Sequence, residues 1–161
     1  MRYLKFTFGI FIILATSRFI PHPPNFTSLL ALSFYIPVFF GRKFIPSILL
    51  SFFLTDLIIG FHSLTFFTWG SVVLIGLMSK FFNSNFKIRI FGAISGSVIF
   101  FIITNFGVWI TGGYETNMTG LLASYTMAIP FFTYSIISTL LFSTLIEIIY
   151  FYWQKNIYIK P

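Results

Sequence analysis

Between Arg89 and Thr111 the chain carries no charged residue, and between Leu121 and Ile146 it carries none again. Backbone amides in hydrocarbon find no water, so apolar runs of this length fold as helices that cross a bilayer. Six runs are legible: Tyr3 to Ile20, Leu29 to Phe40 (short, extendable back to Thr27), Phe44 to Gly60, Leu64 to Ser79, Ile88 to Thr111, and Leu121 to about Trp153. The last is too long for one straight span. Pro130 lies within it, and proline removes a helix hydrogen bond and favours a kink. A short outer piece, Leu121 to Ile129, followed by a spanning piece from Pro130 is expected. A membrane barrel would need apolar and polar residues to alternate, and these runs are continuously apolar. The expected fold is therefore an all-α membrane protein. One integral membrane domain covers residues 1–161, a bundle of six transmembrane helices with the last kinked or split near Pro130. No internal repeat and no soluble domain is visible.

Composition points the same way. Only 8% of the 161 residues are charged and 57% are hydrophobic, against about 25% charged in ordinary soluble domains. A water-soluble fold of this size could not bury so much apolar surface. There is no cysteine, which excludes disulfides and thiolate metal sites and leaves the redox compartment unread.

Ten Lys and Arg stand against three Asp and Glu, a formal charge of +7. On a soluble chain that excess would suggest nucleic acid. In a membrane bundle it reports orientation instead, because Lys and Arg stay in cytoplasmic loops. Six spans place both termini on one side. With that side cytoplasmic, the inner segments hold Arg2 and Lys5, Arg42 and Lys43, Lys80, Lys87 and Arg89, and Lys155 and Lys160. Arg18 is the one basic residue left outside. The bias also supports the span count, since dropping or splitting a helix scatters the charges over both faces. A rival reading concerns the start. MRYLKFTFGIFIILATS has the basic, apolar and small-x-small order of a signal peptide. Cleavage would leave five spans beginning at Arg18 with the same charge pattern; the intact chain is the preferred reading.

In this topology the outer end collects the unusual residues. Arg18, His22 and Asn25 come from the first loop, and His62 follows the third span. Asp56 sits about one turn inside the outer end of that span, at 1.5 Å per residue. Asn105 and Trp109, four apart, share a helix face. Tyr114, Glu115 and Asn117 lie in the next loop, and Ser124 and Tyr125 begin the last helical region. A carboxylate within a span faces protein or water, so Asp56 needs a partner, and Arg18 is the basic residue on its side. That pair either fixes helix packing or orients a polar ligand. His22, His62 and Asp56 would make three ligands for zinc or nickel, but their spacing is no motif, and histidines bonded to backbone or ligand are the preferred reading. No metal and no cofactor is expected. The prolines of PHPPN exclude helix and predict a stiff, extended connection. Trp109 and Tyr125 also fit an interfacial aromatic belt. Gly92 and Gly96 have the G-x-x-x-G spacing that lets helices approach closely, within this chain or against a partner. Glu147, about two turns before Lys155, is expected at the inner interface, paired to a cytoplasmic lysine. No nucleophile–base set, phosphate loop or catalytic carboxylate pair appears, so no enzyme is expected.

Four blocks, RFIPHPPNFT, TDLIIGFH, TNFGVW and GLLASYTMAIPFF, occur in this order between Arg18 and about Phe132. They resemble a bacterial family of small six-helix membrane proteins of unassigned function, grouped with the substrate-binding S components of energy-coupling factor (ECF) transporters. The resemblance implies a six-helix bundle in the bacterial inner membrane that captures a vitamin-like micronutrient from outside. It also implies association with a membrane T component and two ATPases, followed by toppling to release the ligand inside. S components often dock through A-x-x-x-A in the first helix, where this chain has Gly9 and Ala15 with other scattered small residues. Two functions from different classes remain. One is a substrate-binding subunit in which Arg18, His22, Asn25, Asp56, His62, Asn105, Trp109 and Tyr125 line a site for a small molecule. The other is an accessory subunit, surrounded by lipid and packed in a larger membrane complex, with no ligand of its own. Neither involves nucleic acid.

Overall fold

A computed structural model describes residues 2–158, with side chains from Leu4 to Lys155. Lys160 and the side chain of Arg2, two of the expected inner cations, lie outside the described residues. The described chain is helical throughout, with no strand. Seven α-helices follow one another: α1 (Arg2–Phe19), α2 (Leu29–Phe40), α3 (Ile45–Ile59), α4 (Thr65–Met78), α5 (Phe86–Val108), α6 (Met118–Thr126) and α7 (Ile129–Tyr158). Short 3₁₀ turns lead into α3 and prolong α4 to Phe82, and a wider π turn prolongs α5 to Gly113. Three of these rods are long and apolar enough to cross a membrane: α4 with its extension, α5 with its extension, and α7.

The breaks have local causes. The expected last span divides at Met127 and Ala128, ahead of Pro130. Pro130 is the second residue of α7, where its missing N–H costs nothing, so it starts a helix rather than bending one. Asn85 caps α5, its side chain accepting from the Ile88 N–H at 3.1 Å. Gly112, at φ 86°, turns the chain out of the π segment. The connection between α1 and α2 turns rather than extends. The Phe26 N–H bonds the Pro23 carbonyl at 3.0 Å, and Asn25 takes a left-handed φ of 64°, which asparagine tolerates. Ser17 and Ser28 then tie the loop's end back to α1 at 2.7 Å.

The packing is inverted relative to a soluble protein. Large apolar side chains such as Leu4, Phe8, Ile58, Phe66, Phe91 and Ile149 are exposed, while Ser33, Ser51, Ser71, Ser97, Thr139 and Ser143 are buried. Small and hydroxylated residues at helix contacts and apolar residues outside are what a bundle dissolved in lipid requires. The twelve-residue α2 is apolar all round and packs against α3, α4, α5 and α7, as expected for a helix with no solvent face. Glycines on α5 admit this close approach. A Cβ on Gly92 would lie 2.5 Å from the Phe34 ring of α2, and one on Gly96 would lie 3.1 Å from Ile75 of α4. The G-x-x-x-G spacing is thus spent inside the chain.

Ring contacts show which ends meet. Phe6 of α1 touches Phe40 and Phe44 around the α2–α3 junction, and Phe39 of α2 stacks on Tyr150 of α7 at 4.1 Å. Phe34 of α2 reaches Phe82, beside the α4–α5 junction. Lys5, Arg42, Lys43, Lys80, Lys87 and Lys155 therefore share one end of the bundle, the cationic end. The connections α1–α2, α3–α4 and α5–α7 share the other.

Candidate functional site

At the end opposite the cations the helices part around a cavity of about 330 Å³. Its walls come from α4, α5, α6, α7, three loops and the α6–α7 turn. Phe100, Phe101, Phe131 and Phe132 supply apolar faces, and Thr68, Thr104, Asn105, Ser124 and Ser135 supply polar atoms. Asn25, His62 and Tyr114 stand at the loops that rim it. Among the described residues, no Asp, Glu, Lys or Arg lines it.

Each polar group is held by its own helix. The Thr104 hydroxyl donates to the Phe100 carbonyl at 2.8 Å, and the Asn105 amide donates to the Phe101 carbonyl at 2.8 Å. Buried hydroxyls and amides on apolar helices commonly bond the preceding turn in this way. At the mouth, the Leu64 N–H donates to His62 Nδ1 at 3.1 Å. That nitrogen must carry a lone pair, so in the neutral ring the proton lies on Nε2. The His62 backbone and Thr65 cap each other at the start of α4, with the His62 N–H on Thr65 Oγ1 at 3.2 Å and the Thr65 hydroxyl on the His62 carbonyl at 2.7 Å.

Of the eight candidate residues, the cavity brings together Asn25, His62 and Asn105. The Asn25 carbonyl also accepts from Ser138 Oγ on α7 at 3.4 Å, which fixes the loop over the bundle. Tyr125 sits behind the wall, its ring against Phe101 and its hydroxyl donating to the Ile102 carbonyl at 2.9 Å. Trp109 is turned aside, its indole N–H bonding the Glu115 carbonyl at 3.1 Å. Arg18 and Asp56 meet as expected, with Nη1 on Oδ1 at 2.6 Å, but away from the cavity lining. Asp56 is fully buried, and its second oxygen accepts from Trp69 Nε1 at 2.9 Å. Arg18 also donates to Thr55 and lies over the Phe52 ring. Both carboxylate oxygens are occupied, and the group ties α1, α3 and α4 together. His22 has its ring nitrogens against the Pro23 and Arg18 carbonyls, at 2.7 and 3.3 Å. No group of three metal-ligating side chains forms among the described residues.

The family follows from comparison with known sequences. The chain belongs to DUF6580, a family of unknown function. The family model matches residues 2–159, so the cavity and every helix lie inside the matched region. No curated protein and no solved structure matches the chain. The match brings no activity to transfer and shows no link to S components, so that likeness rests on the four sequence blocks alone.

Sequence reasoning passed over Thr68, Thr104, Ser135 and the phenylalanine wall. Thr104 directly precedes Asn105, and that adjacency was the available signal. It also misplaced a second buried pair. Arg89, expected among the inner-loop cations, is 9% exposed and grips Glu147 of α7 through Nε on Oε1 and Nη2 on Oε2, each 2.6 Å. Glu147 therefore pairs with an arginine inside the bundle, not with a cytoplasmic lysine. Arg89 lies a full turn inside α5 because Asn85 caps that helix just ahead of Phe86.

Proposed function

We propose that this chain is a six-span protein of the bacterial inner membrane, with both termini cytoplasmic, and that it captures a small micronutrient at the outer side. The reading is that of an S component-like uptake subunit for a vitamin or vitamin precursor, working with an ECF-type T component and ATPases. The observation that carries it is the 330 Å³ cavity at the end opposite the cations. Ligand sites between helices are of this order in size, mostly apolar with a few placed polar groups. Cations gathered at the other end fit a cytoplasmic face.

Six spans need α1, α2 and α3 to cross as well. At 1.5 Å per residue α1 reaches about 27 Å, with its basic residues at its ends. α2 reaches only about 18 Å, yet its neighbours surround it and its ends need not meet lipid headgroups. The lack of native cysteine allows a clean test of the topology. In intact cells an impermeant maleimide should label Ser63→Cys and spare Ser84→Cys, and inverted vesicles should reverse the pattern. Equal labelling of both in intact cells would break the six-span reading. Native mass spectrometry in mild detergent tests capture: a small molecule should leave with the protein. A fixed large complex without any exchangeable ligand favours the accessory role. One feature lends that role support, an apolar groove between α1 and α3 lined by Leu4, Phe8, Phe11, Leu50 and Leu54.

A further inference from the structure

We propose that the cavity selects an uncharged molecule with an apolar body and several hydrogen-bond donors, and rejects its carboxylate and ammonium relatives. The inference rests on the capture reading above and names the ligand class for that site.

The first ground is charge. Both buried ion pairs of the bundle are satisfied within the protein, Arg18 with Asp56 and Arg89 with Glu147, and neither lines the cavity. A charged ligand would enter a largely apolar chamber with no counter-charge and lose its hydration. The phenylalanine faces attract a cation only weakly and do not replace that hydration.

The second ground is where the protons are. The hydroxyl of Thr68 donates to the Thr65 carbonyl at 2.9 Å, that of Ser124 to Leu121 at 2.8 Å, and that of Ser135 to Phe131 at 3.1 Å. Thr104 spends its proton on Phe100, and Asn105 spends one of its two amide protons on Phe101. Each hydroxyl keeps lone-pair capacity, and the Asn105 Oδ1 has no donor among the described residues. The interior thus keeps more acceptor than donor capacity, spread over four helices. Such a surface pairs with N–H and O–H groups and repels a carboxylate. At the mouth the polarity reverses, because the neutral His62 ring holds its proton on Nε2, as the Leu64 N–H on Nδ1 requires. A ligand carbonyl or ring nitrogen would face that end, with the donors of the molecule pointing inward.

Three probes of one shape separate these terms: indole-3-acetamide, indole-3-acetate and tryptamine, which are neutral, anionic and cationic at pH 7.5. Equilibrium dialysis against the full chain in mild detergent should show the amide bound at least tenfold more tightly than either relative. Asn105→Leu and, independently, Ser124→Ala should each weaken amide binding about tenfold, and melting curves of both variants check folding. Equal affinity for the three probes, tighter binding of a charged one, or no binding of any overturns the proposal. So does amide binding that survives both substitutions unchanged. Mass spectrometry of the co-purifying small molecule separates this failure from failure of the capture reading. A charged molecule lost on Asn105→Leu overturns the selectivity and leaves capture standing. A fixed complex without exchangeable ligand overturns capture itself.

Discussion

The two buried ion pairs have the same N–O distance, 2.6 Å, and differ in almost everything else. Arg18 and Asp56 belong to a network. Arg18 presents one nitrogen to Asp56 and shares it with Thr55, while Asp56 divides its oxygens between Arg18 and Trp69. Three helices meet there, close to the last turn of α1. Arg89 and Glu147 form a closed fork of two parallel bonds between α5 and α7, with the guanidinium about 5.5 Å from the Phe39 and Tyr150 rings. A bidentate fork fixes geometry more tightly than a shared point contact. The difference teaches that the cationic end is locked by a closed two-bond fork, whereas the end around the cavity is held by a group that shares its bonds among several partners.

Breaking one half of each pair should expose that contrast. Glu147→Ala strands Arg89 among aromatic rings and should cost about 3–5 kcal/mol, the range for an uncompensated buried charge. Asp56→Ala leaves Arg18 with Thr55, in the last turn of its helix. Its cost should be smaller, about 2–3 kcal/mol. Unfolding in mixed detergent micelles reads both. Equal losses, or a larger loss for Asp56→Ala, would contradict the distinction between fork and network. Ligand affinity of Asp56→Ala, measured well below its melting temperature, should stay within about threefold of the parent, because the carboxylate does not line the cavity. A tenfold loss would return Asp56 to the site.

The fold was legible where one physical demand dominates. Continuous apolarity has one solution in hydrocarbon, and α2 occupies the expected Leu29–Phe40. Arg18 and Asp56 were legible as a pair because a carboxylate within a span needs a partner and Arg18 is the one basic residue at that end. Their separation from the cavity was not, since pairing and lining are decided by rotation about the helix axes. Arg89 was misread because Lys87 and Arg89 look alike in sequence, while the Asn85 cap puts only the second one inside the bundle. Asn25, His62 and Asn105 stood out as polar groups at one end. Tyr114 and Ser124 stood out with them, but the hydroxyls of Thr68, Thr104 and Ser135 did not, because Ser33, Ser71 and Ser143 are buried away from the cavity and composition does not separate the two uses.

The fork also depends on how closely α5 approaches its neighbours, and two glycines sharpen that point. A Cβ at Gly92 meets the Phe34 ring at 2.5 Å and the Phe82 Cβ at 2.6 Å. Phe34 is fully buried and has no room to yield. Gly92→Ala, one turn from Arg89, should therefore cost about 1–3 kcal/mol by overpacking. Gly96→Ala meets only Ile75 at 3.1 Å, and a small shift of that side chain should hold the loss below about 1 kcal/mol. The same micelle titration compares them. If Gly96→Ala is the costlier change, α5 is positioned by α4 rather than by α2.

Asn105 lies on the same helix as Arg89, more than four turns away toward the cavity, and makes the converse case. Its amide donates to the Phe101 carbonyl of its own helix and joins no other element. Asn105→Ala should change stability by less than about 1 kcal/mol, because the carbonyl it releases keeps its helical partner. The same substitution removes an acceptor from the cavity wall and should lower the amount of co-purifying small molecule about tenfold, read by mass spectrometry against total protein. Stability and binding are thus expected to part company along one helix, the first with Arg89 and the second with Asn105. A variant that loses stability but keeps its ligand would reverse that division and make Asn105 a packing residue.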